Sequence, residues 1–282
     1  MSSARKIAPN QPWTCPLTAG VNPPAVDSAC IGVGDALTPE QMLNLTVNAD
    51  LGHICQKGGH LYDKEILSAE SMVRCPESYL EFPVATILSP NDMSIDAEKK
   101  LLLIDQTFNC SSQKQDSLTL ITDAMQSKGL SQTIMDDVVA VADELFTNAI
   151  FNAPFVDKTT HVNPGVSRSD LTITMDSGKS GRLFLAHDES RLVIGCRDPF
   201  GSLELKRYMA KILATYQQGA AATINFGSGG AGIGSYIIFN AGSSLFFGVW
   251  PGRATQLCCV VPLGLSNRKR VQLSKHIHWV QR

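Results

Sequence analysis

Glu144, Asn148 and Asn152 stand at i, i+4 and i+8 inside the apolar run 137–154, DVVAVADELFTNAIFNAP. That spacing predicts one polar stripe on a helix, with its members about 6 Å apart along the axis. Their neighbours Val138, Val141, Leu145, Phe146, Ile150 and Phe151 are residues a core helix uses. A carboxylate and two carboxamides in such company are costly unless something pairs with them. Facing a ligand, the carboxylate would act as a base and the amide oxygens would meet a hydrated cation and phosphates. The same pattern also fits a buried helix whose asparagines cap neighbouring loops.

Two later stretches add to this. Residues 226–236, FGSGGAGIGSY, hold five glycines between Gly227 and Gly234 and lead into an apolar helix start. Glycines let backbone N–H groups approach an anion, and a helix N-terminus adds positive partial charge. No Lys-Ser/Thr follows, so the loop is not a Walker motif. No acidic residue ends a strand some 20 positions on, so it is not a Rossmann fingerprint. A plain flexible glycine loop fits the pattern as well. Further upstream, Asp198 ends an apolar strand in CRDPFG, residues 196–201. A carboxylate there can accept a hydrogen bond from an exocyclic amine such as adenine's, or simply initiate an Asp-Pro turn.

In order and spacing, this set resembles the GHKL, or Bergerat-fold, ATPases, and within them most closely the anti-sigma-factor serine kinases and related histidine-kinase-like ATPase domains. The resemblance covers roughly residues 81–263. It implies Glu144 as general base, Asn148 as the Mg²⁺ ligand and Asn152 as the third member of that box. Asp198 matches the adenine-binding aspartate and Gly230, Gly232 and Gly234 the second glycine box, while Gly201, displaced by one from the family's first glycine, is counted with the nucleotide-binding residues. Thr255 matches the threonine of the closing strand, and residues 202–229 would form a mobile lid. One position departs from the pattern: Phe200 stands where the family's D-x-G-x-G has its first glycine. The implied cofactors are ATP and Mg²⁺, and the implied partner is a regulatory or phosphoacceptor protein, with a homodimer left open. A histidine-kinase catalytic domain ranks second, because neither His53-Ile-Cys nor His60-Leu-Tyr fits a phosphoacceptor box. A non-catalytic, nucleotide-dependent switch is the third reading.

Composition limits the rest. With 44% hydrophobic and 18% charged residues, a substantial core is expected. A net charge of −2 leaves no electrostatic footprint for nucleic acid. No 18-residue apolar run occurs, and the first 13 residues lack a secretory h-region. The eight scattered cysteines form no disulfide framework, so a reducing, cytoplasmic setting is expected. His53, Cys55, His60 and Cys75 lack the paired spacing of zinc ligands.

The elements that would position the site follow from periodicity. Thr38, Pro39 and Gln41 predict a capped helix. Residues 81–88 read as an edge strand, and 99–126 as a long helix interrupted near Asn109. Three strands are expected over 171–175, 182–186 and 192–196, a helix over 203–218, and a terminal hairpin around Pro251-Gly252. The expected fold is a two-layer α/β sandwich, with a mixed sheet and helices on one face. The expected division is an N-terminal region, 1–80, and a histidine-kinase-like ATP-binding domain, 81–282.

Overall fold

The computed structural model describes residues 13–17, 30–49, 51–59, 61–154, 167, 169–219, 233–270 and 272–282. Its framework is one mixed sheet of nine strands. In chain order these are β1 (Trp13–Leu17), β2 (Cys30–Gly34), β3 (His53–Gln56), β4 (Leu102–Phe108), β5 (Gly181–His187), β6 (Arg191–Asp198), β7 (Ser244–Trp250), β8 (Ala254–Pro262) and β9 (His276–Gln281). They lie side by side as β1-β2-β3-β9-β7-β8-β6-β5-β4. The pairs β1–β2, β2–β3 and β7–β9 are parallel and the others antiparallel. The N-terminal strands thus extend the same sheet, joined to it through the chain's last strand.

Strand side chains alternate between faces, and here both faces are buried. On one face Leu183, Leu185, Ile194, Leu245, Phe247, Cys259 and Ile277 pack beneath α1 (Pro39–Asn48), α6 (Lys114–Ser127), α7 (Gln132–Thr147), α8 (Leu205–Gln218) and α9 (Ile233–Ala241). On the other, Phe184, Val193, Phe246, Cys258 and Val260 meet residues of α2 (Tyr62–Arg74), α3 (Pro76–Glu81) and α4 (Pro83–Leu88). The α/β class and mixed sheet hold. The expectation of a two-layer sandwich with helices on one face does not, because strands with apolar residues at both parities need a cover on each side.

Local signals explain several elements. Thr38 and Gln41 close a capping box at α1, each side chain bonding the other's backbone N–H at 3.2 and 2.8 Å. Gly129, at φ +68, follows α6, and Ser131 takes the N-cap position of α7. Residues 81–88 are helical rather than a strand. Pro76 and Pro83 take the N1 positions of α3 and α4, where the missing N–H costs nothing. The buried Glu98 carboxylate, from α5 (Ile95–Leu101), accepts from Ala85 N at 2.7 Å and so serves the open end of α4.

The expected helix over 99–126 is split, with 102–108 forming β4 against β5. Its Phe108 ring crosses the strand at Gly181, where any Cβ would come within 2.4 Å of the ring. Residues 171–175 form no strand. They contribute one isolated bridge, Thr174 to Cys110, and Leu171 is largely exposed.

Phe108 stacks on Phe146 of α7 at 4.1 Å between centroids, both rings buried. Truncating Phe146 to Ala should therefore cost about 3–5 kcal/mol in urea unfolding. A cost below about 1 kcal/mol would mean that α7 is not anchored on the sheet by this ring.

Candidate functional site

Helix α7 does not end at Thr147 but continues as one π-helical turn, Asn148–Asn152, before Pro154. Wide turns of this kind recur at functional sites, because they re-aim side chains within a packed helix. The apolar side of the combined helix is buried, whereas Glu144 and Asn148 are half-buried and Asn152 is exposed. Asn152 Nδ2 donates to Asn148 Oδ1. That leaves one lone pair on the Asn148 oxygen for a further partner.

Glu144 lies against the start of α9. A Cβ placed on Gly234, the second residue of that helix, would fall 1.8 Å from Glu144 Cδ. The carboxylate therefore sits on the N-terminal turn, where the helix dipole and unpaired N–H groups favour negative charge. Gly230 and Gly232 lie outside the described residues. Sequence reasoning missed Tyr208 of α8. Its hydroxyl is buried without a hydrogen-bond partner, and burial first, then the nearby Glu144 charge, raises its pKa. Its ring meets Phe247 edge-on at 5.5 Å.

At the other end of the stripe, Asp198 closes β6 opposite Thr255 of β8. Asp198 is 8% exposed, and burial pushes its pKa up to about 6 against the lowering effect of its hydrogen bonds. Phe200 N donates to Oδ1 at 2.9 Å, so Asp198 does form the turn that Asp-Pro chemistry predicts. The Thr255 hydroxyl is buried and makes no hydrogen bond of regular geometry, yet it stands close enough to Asp198 to help lower its pKa.

Gly201, at φ +62, has a backbone reason to be glycine, since a Cβ would meet Trp250 O at 2.0 Å. Phe200 packs against the core with Lys179 Nζ 4.8 Å above its ring. One further bond joins the turn to the helix: Ser202 Oγ donates to Ala153 O at 2.7 Å.

These contacts tie the two ends of the helix to different elements. Glu144 touches α9, the two asparagines touch each other, and the residue after Asn152 is tied to the Asp198 turn. Eight residues separate Glu144 from Asn152, or about 12 Å of helical rise. The expected lid over 202–229 is corrected in its described part. Residues 205–218 form helix α8, with Leu205, Met209, Ile212 and Thr215 buried against α1 and α9. That amphipathic spacing is the signal that could have placed Tyr208 on the packed side.

Among the described residues, no three His, Cys, Asp or Glu side chains stand ready to hold a metal, and no helix is long and apolar enough to cross a membrane. No family model, curated protein or solved structure matches the chain.

Two outcomes follow from the geometry. Gly234→Ala should destabilise the chain by about 1–3 kcal/mol while Glu144 is present, and be neutral or mildly stabilising in a Glu144→Ala background. Additive effects in that double-mutant cycle would separate the two residues. For Asp198, a folded pKa raised from 3.8 to about 6 means that the ionised form costs roughly 3 kcal/mol above pH 6. That cost fades as pH falls from about 6 to below 4, where both folded and unfolded states are protonated. Asp198→Asn should therefore raise stability at pH 8 and lose that advantage by pH 4. An unchanged or lowered stability at pH 8 would contradict the burial argument.

Proposed function

We propose that the chain binds Mg²⁺–ATP along the α7 stripe and transfers the γ-phosphoryl group to a protein Ser or Thr hydroxyl, with residues 81–263 built as a Bergerat-type unit. The observation that carries this reading is the double attachment of one helix, through Glu144 to the start of α9 and through Ala153 to the Asp198 turn. About 12 Å of polar stripe between these ends suits an extended nucleoside triphosphate.

Asp198 would accept the adenine amino group, and the unsatisfied Thr255 hydroxyl beside it is a second polar atom for the base. Asn148 would meet Mg²⁺ through its remaining lone pair. Mg²⁺ is ordinarily held by one or two protein oxygens plus phosphates, so a closed cage is not required. Glu144 would orient or deprotonate the acceptor hydroxyl, since phosphoryl transfer asks for positioning and charge neutralisation more than covalent help.

One observation favours a second reading, a nucleotide-dependent switch without transfer. The Glu144 carboxylate already lies on Gly234, where a phosphate would approach α9.

Calorimetry with Mg²⁺–ATP and radiolabel transfer separate the two readings. Asn148→Ala should weaken the Mg²⁺-dependent part of ATP binding by tenfold or more, about 1.4 kcal/mol. Glu144→Ala should keep binding while abolishing transfer to protein or water. Wild-type protein that binds but never transfers would leave the switch, and protein that binds no adenine nucleotide would end both readings.

A further inference from the structure

A group of five buried ionisable side chains lies on the other face of the sheet from α7, the face covered by α2. In the antiparallel β3–β9 ladder, His53 stands opposite His278 and Cys55 opposite His276. The His53 and His278 rings are 5.6 Å apart, and Phe246 of β7 lies 4.6 Å from His278. Glu65 of α2 reaches in from above, with its Oε2 3.7 Å from His278 Nε2, and Cys55 Sγ is 4.0 Å from the same nitrogen. None of the five is more than 2% exposed. Among the described residues, both ring nitrogens of His53, Nδ1 of His278 and both oxygens of Glu65 have no hydrogen-bond partner; His278 Nε2 has only the long Cys55 contact, and His276 Nδ1 accepts from Gln56 N at 3.4 Å.

The ladder is also the shortest in the sheet, with three register pairs against eight in β6–β8. Among the described residues it is the only strand pairing that joins β1–β3 to the remaining strands.

We propose that this seam is an acid-operated latch: protonation of its histidines parts β3 from β9 and loosens the β1–β3 edge together with α2. The charge balance supplies the reason. Three imidazoles face one carboxyl, Glu65, so a first proton is compensated and a second or third is not. The other groups near the pocket offer no relief. Cys55 and Tyr62 are neutral, β7 contributes Phe246 and Ser244, and Lys275 adds positive charge, although its amino group is turned away to the carbonyls of Phe239, Asn240 and Gly242. Burial lowers all three imidazoles, His53 well below its ordinary value, His276 to about 4 and His278 to about 3.

The closed seam therefore refuses protons that an open one accepts below pH 6.5. The latch is fully closed above that value and loosens as pH falls towards 4. Each imidazole raises the opening constant about 25-fold between pH 7 and pH 5, and two together several hundredfold. Because α1 still packs on α8 from the other face, the edge opens without the N-terminal strands being cast off.

Hydrogen exchange of the full-length chain at pH 7 and pH 5, corrected for intrinsic rates, tests this. Peptides from β3, β9 and α2 should gain at least a hundredfold in opening, while those from α7, β5 and β6 keep their protection. The His53→Leu/His278→Leu pair should remove most of that pH dependence. If that variant fails to fold, titration of ¹³C-labelled histidines in the wild type replaces it, with the three seam imidazoles staying neutral until the exchange-detected opening. Equal exchange at the two pH values overturns the latch, as does a uniform rise across the sheet. One equivalent of divalent metal in the purified chain also overturns it, because the metal would occupy the same free nitrogens and oxygens.

Discussion

A core helix with polar groups on it is the constraint around which this molecule is arranged. Helix α7 buries Val138, Val141, Ala142, Leu145 and Phe146 against the sheet, so it can neither rotate nor slide without opening a cavity. Its polar stripe is therefore fixed in direction by the same packing that stabilises the fold. The two ends of the stripe are held by different elements, α9 at Glu144 and the turn after β6 at Ala153. A displacement of either would be felt along the helix, which is how a site made of distant segments can stay registered.

Covering both faces of the sheet has a second consequence. The central strands β7 and β8 are buried along their full length, which confines polarity to a few places. Several of these have their own means of compensation. Glu98 is answered by Ala85 N and by Arg182 at 3.4 Å, and Lys275 by three carbonyls at the C-terminal end of α9, those of Phe239, Asn240 and Gly242. Asp198 is answered only by its own turn and Thr255, and retains a raised pKa.

The parts of this fold that could be read from the sequence are those set by local chemistry. The capping box at Thr38, the limits of α7, strands β5 and β6, and the hairpin around Pro251-Gly252 each carry their own caps, period or turn residues. Residues 81–88 and 102–108 misled because short apolar runs suit either state, and the choice fell to tertiary partners: the Glu98 carboxylate for α4 and the β5 edge for β4. Cover on both faces was invisible for the same reason, since it depends on which helices fold back on which side.

At the candidate site, Glu144, Asn148, Asn152 and Asp198 could be singled out because polar residues in apolar runs are conspicuous. Tyr208 could not, because an aromatic residue on an amphipathic helix looks like ordinary packing until its hydroxyl is found near Glu144. Likewise, Gly201 looked like a ligand-binding glycine, whereas the carbonyl of Trp250 is reason enough for it.

A crystal structure of the chain grown with Mg²⁺ and a non-hydrolysable ATP analogue is the decisive measurement for nucleotide binding along α7. The expected result is the adenine amino group on Asp198, the metal within reach of Asn148 and the terminal phosphate at the start of α9, with the Glu144 carboxylate turned off Gly234. An analogue bound elsewhere on the molecule, or a pocket between Asp198 and Glu144 that stays filled with packed side chains at saturating nucleotide, would contradict it.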